Sequence, residues 1–96
     1  MQMYEYTIIV RSDLDGQSRD ELIQRIVGMI PLPEGSEEPK VEIWGRRQLA
    51  YPIEKHTEGY YVYIETAMEG SEIAEMERNI TYIEEVLRHL GVRKEG

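Results

Sequence analysis

No cysteine occurs among the 96 residues, which removes disulfides, thiolate zinc sites and cysteine nucleophiles at once and fits a chain made for the cytosol. No apolar run approaches the roughly 20 residues that a membrane span requires. The opening MQMYEYTIIV has neither a basic flank nor a small-residue cleavage site, so no secretory signal is expected. Positive charge is scarce: 11 Lys and Arg stand against 19 Asp and Glu, for a net charge of −8. Free-standing nucleic-acid binders usually carry the opposite sign, because phosphate neutralisation supplies most of their non-specific affinity. The few cations are unevenly placed, however. Arg46 and Arg47 are adjacent, and Arg88, Arg93 and Lys94 gather near the carboxyl end, while acids dominate 34–38 and 69–85.

What is present fits one globular domain over residues 1–96. The hydrophobic fraction is 41%, too high for a disordered chain, and the length suffices for one core. Tyr4, Tyr6, Ile8 and Val10 share a parity and predict a half-buried strand. Asp13 to Gly16 marks a turn. Ser18 and Glu21 have capping-box spacing ahead of Leu22, Ile23, Ile26, Val27 and Ile30, an amphipathic helix that Pro31 is expected to end. Residues 31–39 hold three prolines among acids and read as an exposed loop. Lys40 to Ala50 reads as a strand with a bulge at Gly45, and Tyr51 to Gly59 as a hairpin connection. Tyr60 to Ala67 is the strongest strand signal, with Val62, Ile64 and Thr66 on one face and Tyr61, Tyr63 and Glu65 on the other. Ser71 is placed to cap a second helix through Ile73, Met76 and Ile80, and Val86 to Arg93 closes as a strand. The order β-α-β-β-α-β predicts an α+β, ferredoxin-like sandwich: a four-stranded antiparallel sheet with both helices on one face.

That topology hosts many unrelated functions, so function must come from a site. Enzymatic chemistry has little support. There is no Walker loop and no dinucleotide fingerprint. The turn Arg11 to Gly16 offers acids where an acylphosphatase-type loop would hold phosphate. His56 reads as a solvated turn residue and His89 as a packed or hydrogen-bonded one. Glu72, Glu75 and Glu77 read as a solvated helix face rather than a metal cluster. No acid–base pair is defined. The expectation is a protein that is not an enzyme, with no cofactor, no metal, no small-molecule substrate and no membrane association.

The run Trp44-Gly45-Arg46-Arg47-Gln48-Leu49-Ala50-Tyr51-Pro52-Ile53 resembles the signature of the bacterial small-subunit (30S) ribosomal protein S6 family (bS6), in which glycine and basic residues precede Leu-Ala-Tyr-Pro-Ile. In register with it are the Tyr4-Glu5 strand opening, Ile23-Gln24-Arg25, Gly59-Tyr60, Glu77-Arg78-Asn79 and Val86-Leu87-Arg88-His89-Leu90, so the match spans roughly residues 3 to 94. The resemblance implies the fold above. It also implies binding to the central domain of 16S rRNA as a heterodimer with ribosomal protein S18, in the platform of the small subunit. On that resemblance the RNA-binding residues are Arg46, Arg47, Tyr51, Tyr4, Arg78 and Arg88. Guanidinium groups grip phosphate as a fork and tyrosine rings stack on bases or ribose. Taken alone, the double arginine reads equally as a solvated strand edge, and Tyr51-Pro52 as a stiff corner under the hairpin.

Tyr61 and Tyr63, exposed on the open sheet face, are expected to meet the protein partner; shielding of the sheet by cross-strand tyrosines is the plainer reading. An acidic chain sits on RNA in this scheme because a few arginines meet phosphate and a basic partner supplies the rest. The sequence departs from the family pattern at Gln48 and Thr81, where basic residues are common, at a longer 31–39 loop, and at Gly91, which is expected to weaken the last strand. The other reading is a stand-alone interaction domain that pairs through its open sheet face without RNA. A cytoplasmic ribosome is the expected location, an organellar one being the other source.

Overall fold

The computed structural model describes residues 2–94. Its elements run β1 (Gln2–Arg11), α1 (Gly16–Gly28), β2 (Lys40–Ile53), β3 (His56–Met68), α2 (Gly70–Thr81) and β4 (Val86–Arg93). The four strands form one sheet in the order β2-β3-β1-β4, with every neighbouring pair antiparallel. This is the sandwich that the sequence pattern predicts.

Alternation along β1 and β3 decides which face the helices cover. Tyr6, Ile8 and Val10 of β1 and Val62 and Ile64 of β3 are buried against Leu22, Ile23 and Ile26 of α1 and Met76 and Ile80 of α2. Burying each of these side chains contributes about 1.5–3 kcal/mol. The residues of opposite parity, Glu5, Thr7 and Ile9 on β1 and Tyr61, Tyr63 and Glu65 on β3, point to the face without helices. No helix among the described residues is long and apolar enough to cross a membrane.

Several element ends differ from the sequence reading, each for a physical reason. α1 is capped by Asp15, not Ser18: the Asp15 carboxylate accepts the Ser18 amide at 2.8 Å and the Ser18 hydroxyl at 3.1 Å. Asp-x-x-Ser satisfies the same free amides one turn earlier, and Glu21 instead accepts from Gln17 Nε2 at 3.2 Å. The helix ends at Gly28, before Pro31, with the Met29 amide bonded back to Ile26 and Val27. α2 starts at Gly70 with Glu69 as its cap residue and no capping side-chain bond, so Ser71 lies inside the first turn. Here β3 stays buried through Met68 and delivers the chain straight into the helix. The hairpin connection shrinks to Glu54 and Lys55, both at positive φ. A two-residue turn of that hand normally takes Asn or Gly, so its sequence carried no signal.

Gly91 has a role the sequence did not show. It pairs with Tyr6 across β1 and β4, and a Cβ at position 91 would overlap the buried Tyr6 ring. The ring covers the glycine, an arrangement that stabilises sheet glycines next to aromatic neighbours. The same burial, together with the nearby Glu77 and Tyr4, pushes the Tyr6 phenol up to about 12.

Gly91→Val is therefore expected to destabilise the fold by about 2 kcal/mol despite valine's higher strand propensity, as overpacking does; chemical denaturation measures it. The Asp15 carboxyl is held below its ordinary value of 3.8 by the Ser18 amide. Its folded value is thus lower than its unfolded one, so this stability is complete above pH 4 and is lost as pH falls through the folded value. Asp15→Asn keeps the cap without the titration, and acid denaturation curves are expected to show a shallower loss of stability below pH 4.

Candidate nucleic-acid interface

The geometry of the arginine-rich segment follows from one inserted residue. In the β2–β3 pairing, Ile43 lies opposite Val62 and Gly45 opposite Tyr61, leaving Trp44 as the extra residue of a bulge. Gly45 sits at φ +83°, a conformation that glycine alone adopts without penalty. A one-residue insertion inverts the facing of every side chain beyond it. Before the bulge, Val41 and Ile43 share the helix side with Ile64 and Val62. Beyond it, Arg46 lies beside Tyr60 on the helix side, and Arg47 beside Gly59 on the open face.

The two adjacent arginines therefore serve opposite faces of the same sheet end. Arg47 places its guanidinium carbon 5.0 Å from the Trp44 ring centroid and 5.6 Å from that of Tyr61. Trp44 is stacked on Tyr63, with centroids 5.1 Å apart and planes inclined by 8°. Tyr63 is tied across to β1 by a 2.5 Å bond from its hydroxyl to Glu5. Donation to that carboxylate holds the phenol proton and pushes Tyr63 up to about 12. Arg46 donates to the Ser12 carbonyl at 3.3 Å, which anchors its stem at the mouth of the β1–α1 turn.

Leu49 is buried on the open face although it belongs to an edge strand. A Cβ on Gly59 would overlap Ile9 and lie 3.3 Å from Leu49, so Gly59 is the gap that lets the two apolar side chains meet. With Leu49 pinned there, the exposed Tyr51 reaches Arg88 of β4. An Arg88 guanidinium nitrogen donates to the Tyr51 hydroxyl, and its carbon stands 5.9 Å from the ring centroid. Arg88 pairs with Ile9 and so belongs to the open face too.

Of the residues expected to meet RNA, the structure brings together Arg47, Tyr51 and Arg88 on the open face, with Arg46 at the same end of the sheet on the other side. Tyr4 and Arg78 are not in that group. Tyr4 is half-buried against the core, on the helix side, seven residues before Arg11 along β1, or about 23 Å at 3.3 Å per residue. Arg78 is exposed in the last turn of α2, in the helix layer. Tyr61 and Tyr63 lie on the open face beside Arg47.

Arg46, Arg47 and Arg88 form no salt bridge among the described residues, whereas Arg11 is neutralised by Asp13 at 2.8 Å and holds that carboxyl below its usual range. Away from this end the open face turns acidic, with Glu5, Glu42 and Glu65, the last paired to Lys94 at 2.9 Å. The Lys94 ammonium beside it lowers the Glu65 carboxyl. His89 is hydrogen-bonded, its Nε2 3.1 Å from the Thr81 hydroxyl, and Thr81 in turn donates to the Glu77 carbonyl. No group of three or more His, Asp and Glu able to hold a metal occurs among the described residues. Sequence reasoning missed Trp44 as a site residue. Its signal was its position immediately before a bulge glycine.

Gly45→Ala is expected to destabilise the chain by about 1–2 kcal/mol through its left-handed backbone. It should also disturb the stack on Tyr63. Since Trp44 is the single tryptophan, near-ultraviolet circular dichroism reads that stack directly, and an unchanged spectrum would show that the bulge does not depend on glycine.

A family model described as ribosomal protein S6 matches residues 3–93. The small ribosomal subunit protein bS6 of Alkaliphilus metalliredigens is 39% identical, over 97% of this chain and 97% of its own length. That of Carboxydothermus hydrogenoformans is 34% identical, over 99% and 98%. Among solved structures, the crystal structure of 30S ribosomal protein S6 from Thermotoga maritima superposes with a TM-score of 0.85 at 28% identity, covering 97% of this chain and 87% of that one. These relatives are structural ribosomal proteins rather than enzymes, in agreement with the missing catalytic constellation. By sequence over nearly its whole length, and by fold, the chain belongs to the ribosomal protein S6 family of the small ribosomal subunit.

Proposed function

We propose that this small-subunit ribosomal protein binds the central domain of 16S rRNA together with ribosomal protein S18, in the platform, and has no catalytic role. The observation that carries the reading is the cluster of arginines at one end of the sheet: among the described residues Arg46, Arg47 and Arg88 have no carboxylate partner, and two of them are mounted on aromatic rings. A guanidinium held over a ring loses less freedom when it closes on a phosphate oxygen, and its planar fork fits that oxygen pair. Tyr51, bonded to Arg88 and exposed over 56% of its surface, offers a ring for stacking on a base.

The open face supports the partner assignment. Tyr61 and Tyr63 lie between the arginines and the acids Glu5, Glu42 and Glu65, and Leu90 and Val92 of β4 are 60% and 50% exposed on the same face. Aromatic and apolar surface rimmed by carboxylates suits a cationic protein, and such a partner offsets the −8 of this chain on a polyanion. The reading as a stand-alone interaction domain leaves the unpaired arginines without a task. Tyr4 and Arg78 enter this proposal as separate contacts, since neither adjoins the cluster.

Mixing the purified chain with S18 and a central-domain RNA fragment tests the proposal. Log affinity is expected to fall with log salt by about 0.7–0.9 per phosphate contact. Arg47→Ala is expected to weaken the ternary complex and lower that slope by about one contact, with thermal unfolding unchanged. Indifference of RNA binding to replacement of Arg46, Arg47 and Arg88 would sink the site assignment, and recovery of the chain only as a homodimer would sink the function.

A further inference from the structure

We propose that Arg19, on the first turn of α1, is a further phosphate-binding residue, so that the RNA-contacting end continues around the sheet from the open face onto the helix side. The proposal rests on the rRNA-binding reading above. Arg19 lays its guanidinium over the Tyr60 ring, with the carbon 4.3 Å from the centroid, closer than any of the arginine–aromatic pairs on the open face. Tyr60 is the cross-strand partner of Arg46, whose side chain lies on this same side, so two arginines adjoin one tyrosine. Residues directly opposite in an antiparallel pair have Cβ atoms about 4.5–5.5 Å apart, so the Arg46 side chain starts beside the ring that Arg19 covers.

Neither forms a salt bridge among the described residues. The Arg19 side chain makes no hydrogen bond there either, its backbone amide alone donating to the Asp15 carbonyl at 2.9 Å, and its Nε is buried without an acceptor. Arg46 spends one donor on the Ser12 carbonyl. Of the carboxylates in the adjoining turn, Asp13 is paired with Arg11, while Asp15 accepts the amide and hydroxyl of Ser18 and attracts Arg19 only through space, without a hydrogen bond to its guanidinium. Arg19 Nη2 lies 3.8 Å from the position of a Cβ on Gly16, over the first turn of α1, where the positive end of the helix dipole adds to the local potential. Two arginines beside one tyrosine, with no ion pair of their own among the described residues, favour an anion between them. A ribonucleic acid backbone supplies that anion.

The test measures binding of the chain plus S18 to the central-domain RNA fragment across a salt series, for the parent, Arg19→Gln, Arg19→Lys and Arg47→Ala. Arg19→Gln is expected to weaken binding about fivefold at low salt, the size of a solvent-exposed ion pair, and to lower the salt slope by about 0.7–0.9. Arg19→Lys should restore the slope and part of the affinity, which a purely structural role for the Arg19–Tyr60 stack would not produce. If the parent and Arg47→Ala behave as expected while Arg19→Gln keeps the full slope, the Arg19 contact is overturned and the rRNA-binding reading stands. If the parent complex does not bind the fragment, both fall together.

Discussion

The structure of the interface depends on the phase of one strand. β2 enters the sheet with Val41 and Ile43 toward the helices, and without a correction Arg47 and Leu49 would follow them to that side. The extra residue at Trp44, made feasible by the left-handed Gly45, reverses the alternation in the middle of the strand. Leu49 then packs beside Ile9 on the helix-free face, Tyr51 is carried to Arg88, and Arg47 takes the open face while Arg46 turns to the helix side. The stack of Trp44 on Tyr63 fills the open-face position that the reversal creates. One backbone irregularity thus determines where Arg46 and Arg47 point.

Net charge is a poor guide to such a molecule because it averages over surfaces that act separately. Many of the acids lie in the 31–39 loop, along α2 and over the far part of the open face, while Arg46, Arg47 and Arg88, without a salt bridge among the described residues, share one end of the sheet with Asp13, Asp15 and Glu58. At physiological ionic strength charges more than about 8 Å apart are largely screened, so a phosphate at the arginine end is governed by the guanidinium groups beside it. The distant carboxylates shape long-range approach instead, and they do so in a sense that favours a cationic companion.

Most of the fold was legible in the sequence, since parity in β1 and β3 and helical spacing in α1 and α2 each reflect a burial requirement that the sheet imposes. What escaped was set by backbone chemistry rather than by hydropathy. Glu54 and Lys55 turn at positive φ, where neither residue advertises a turn, and α2 starts without a capping side chain because buried Thr66, Ala67 and Met68 extend β3 to its threshold. Gly91 read as a weakness, yet it is the space occupied by the Tyr6 ring. In the site, the signature run identified Arg46, Arg47 and Tyr51, and Arg88 came from a shorter match. That Arg46 and Arg47 part follows from strand alternation, but which of them takes the open face could not be read without the pairing register, and Arg19 lies outside any motif. Tyr4 and Arg78 matched in sequence but stand apart in space.

The sheet order places β1 between β3 and β4, so a central strand has one neighbour more than 40 residues downstream and the other at residues 86–93. During synthesis from the amino end, β1 can dock on β3 while its other edge remains bare until the final strand emerges. That edge belongs to the strand that supplies Tyr6, Ile8 and Val10 to the core, and it presents unpaired amides and carbonyls, the template on which foreign strands add. Closure of that edge therefore rests on the last eight-residue strand, β4, and truncation of the chain before Val86 leaves the inner edge of β1 open to strand addition.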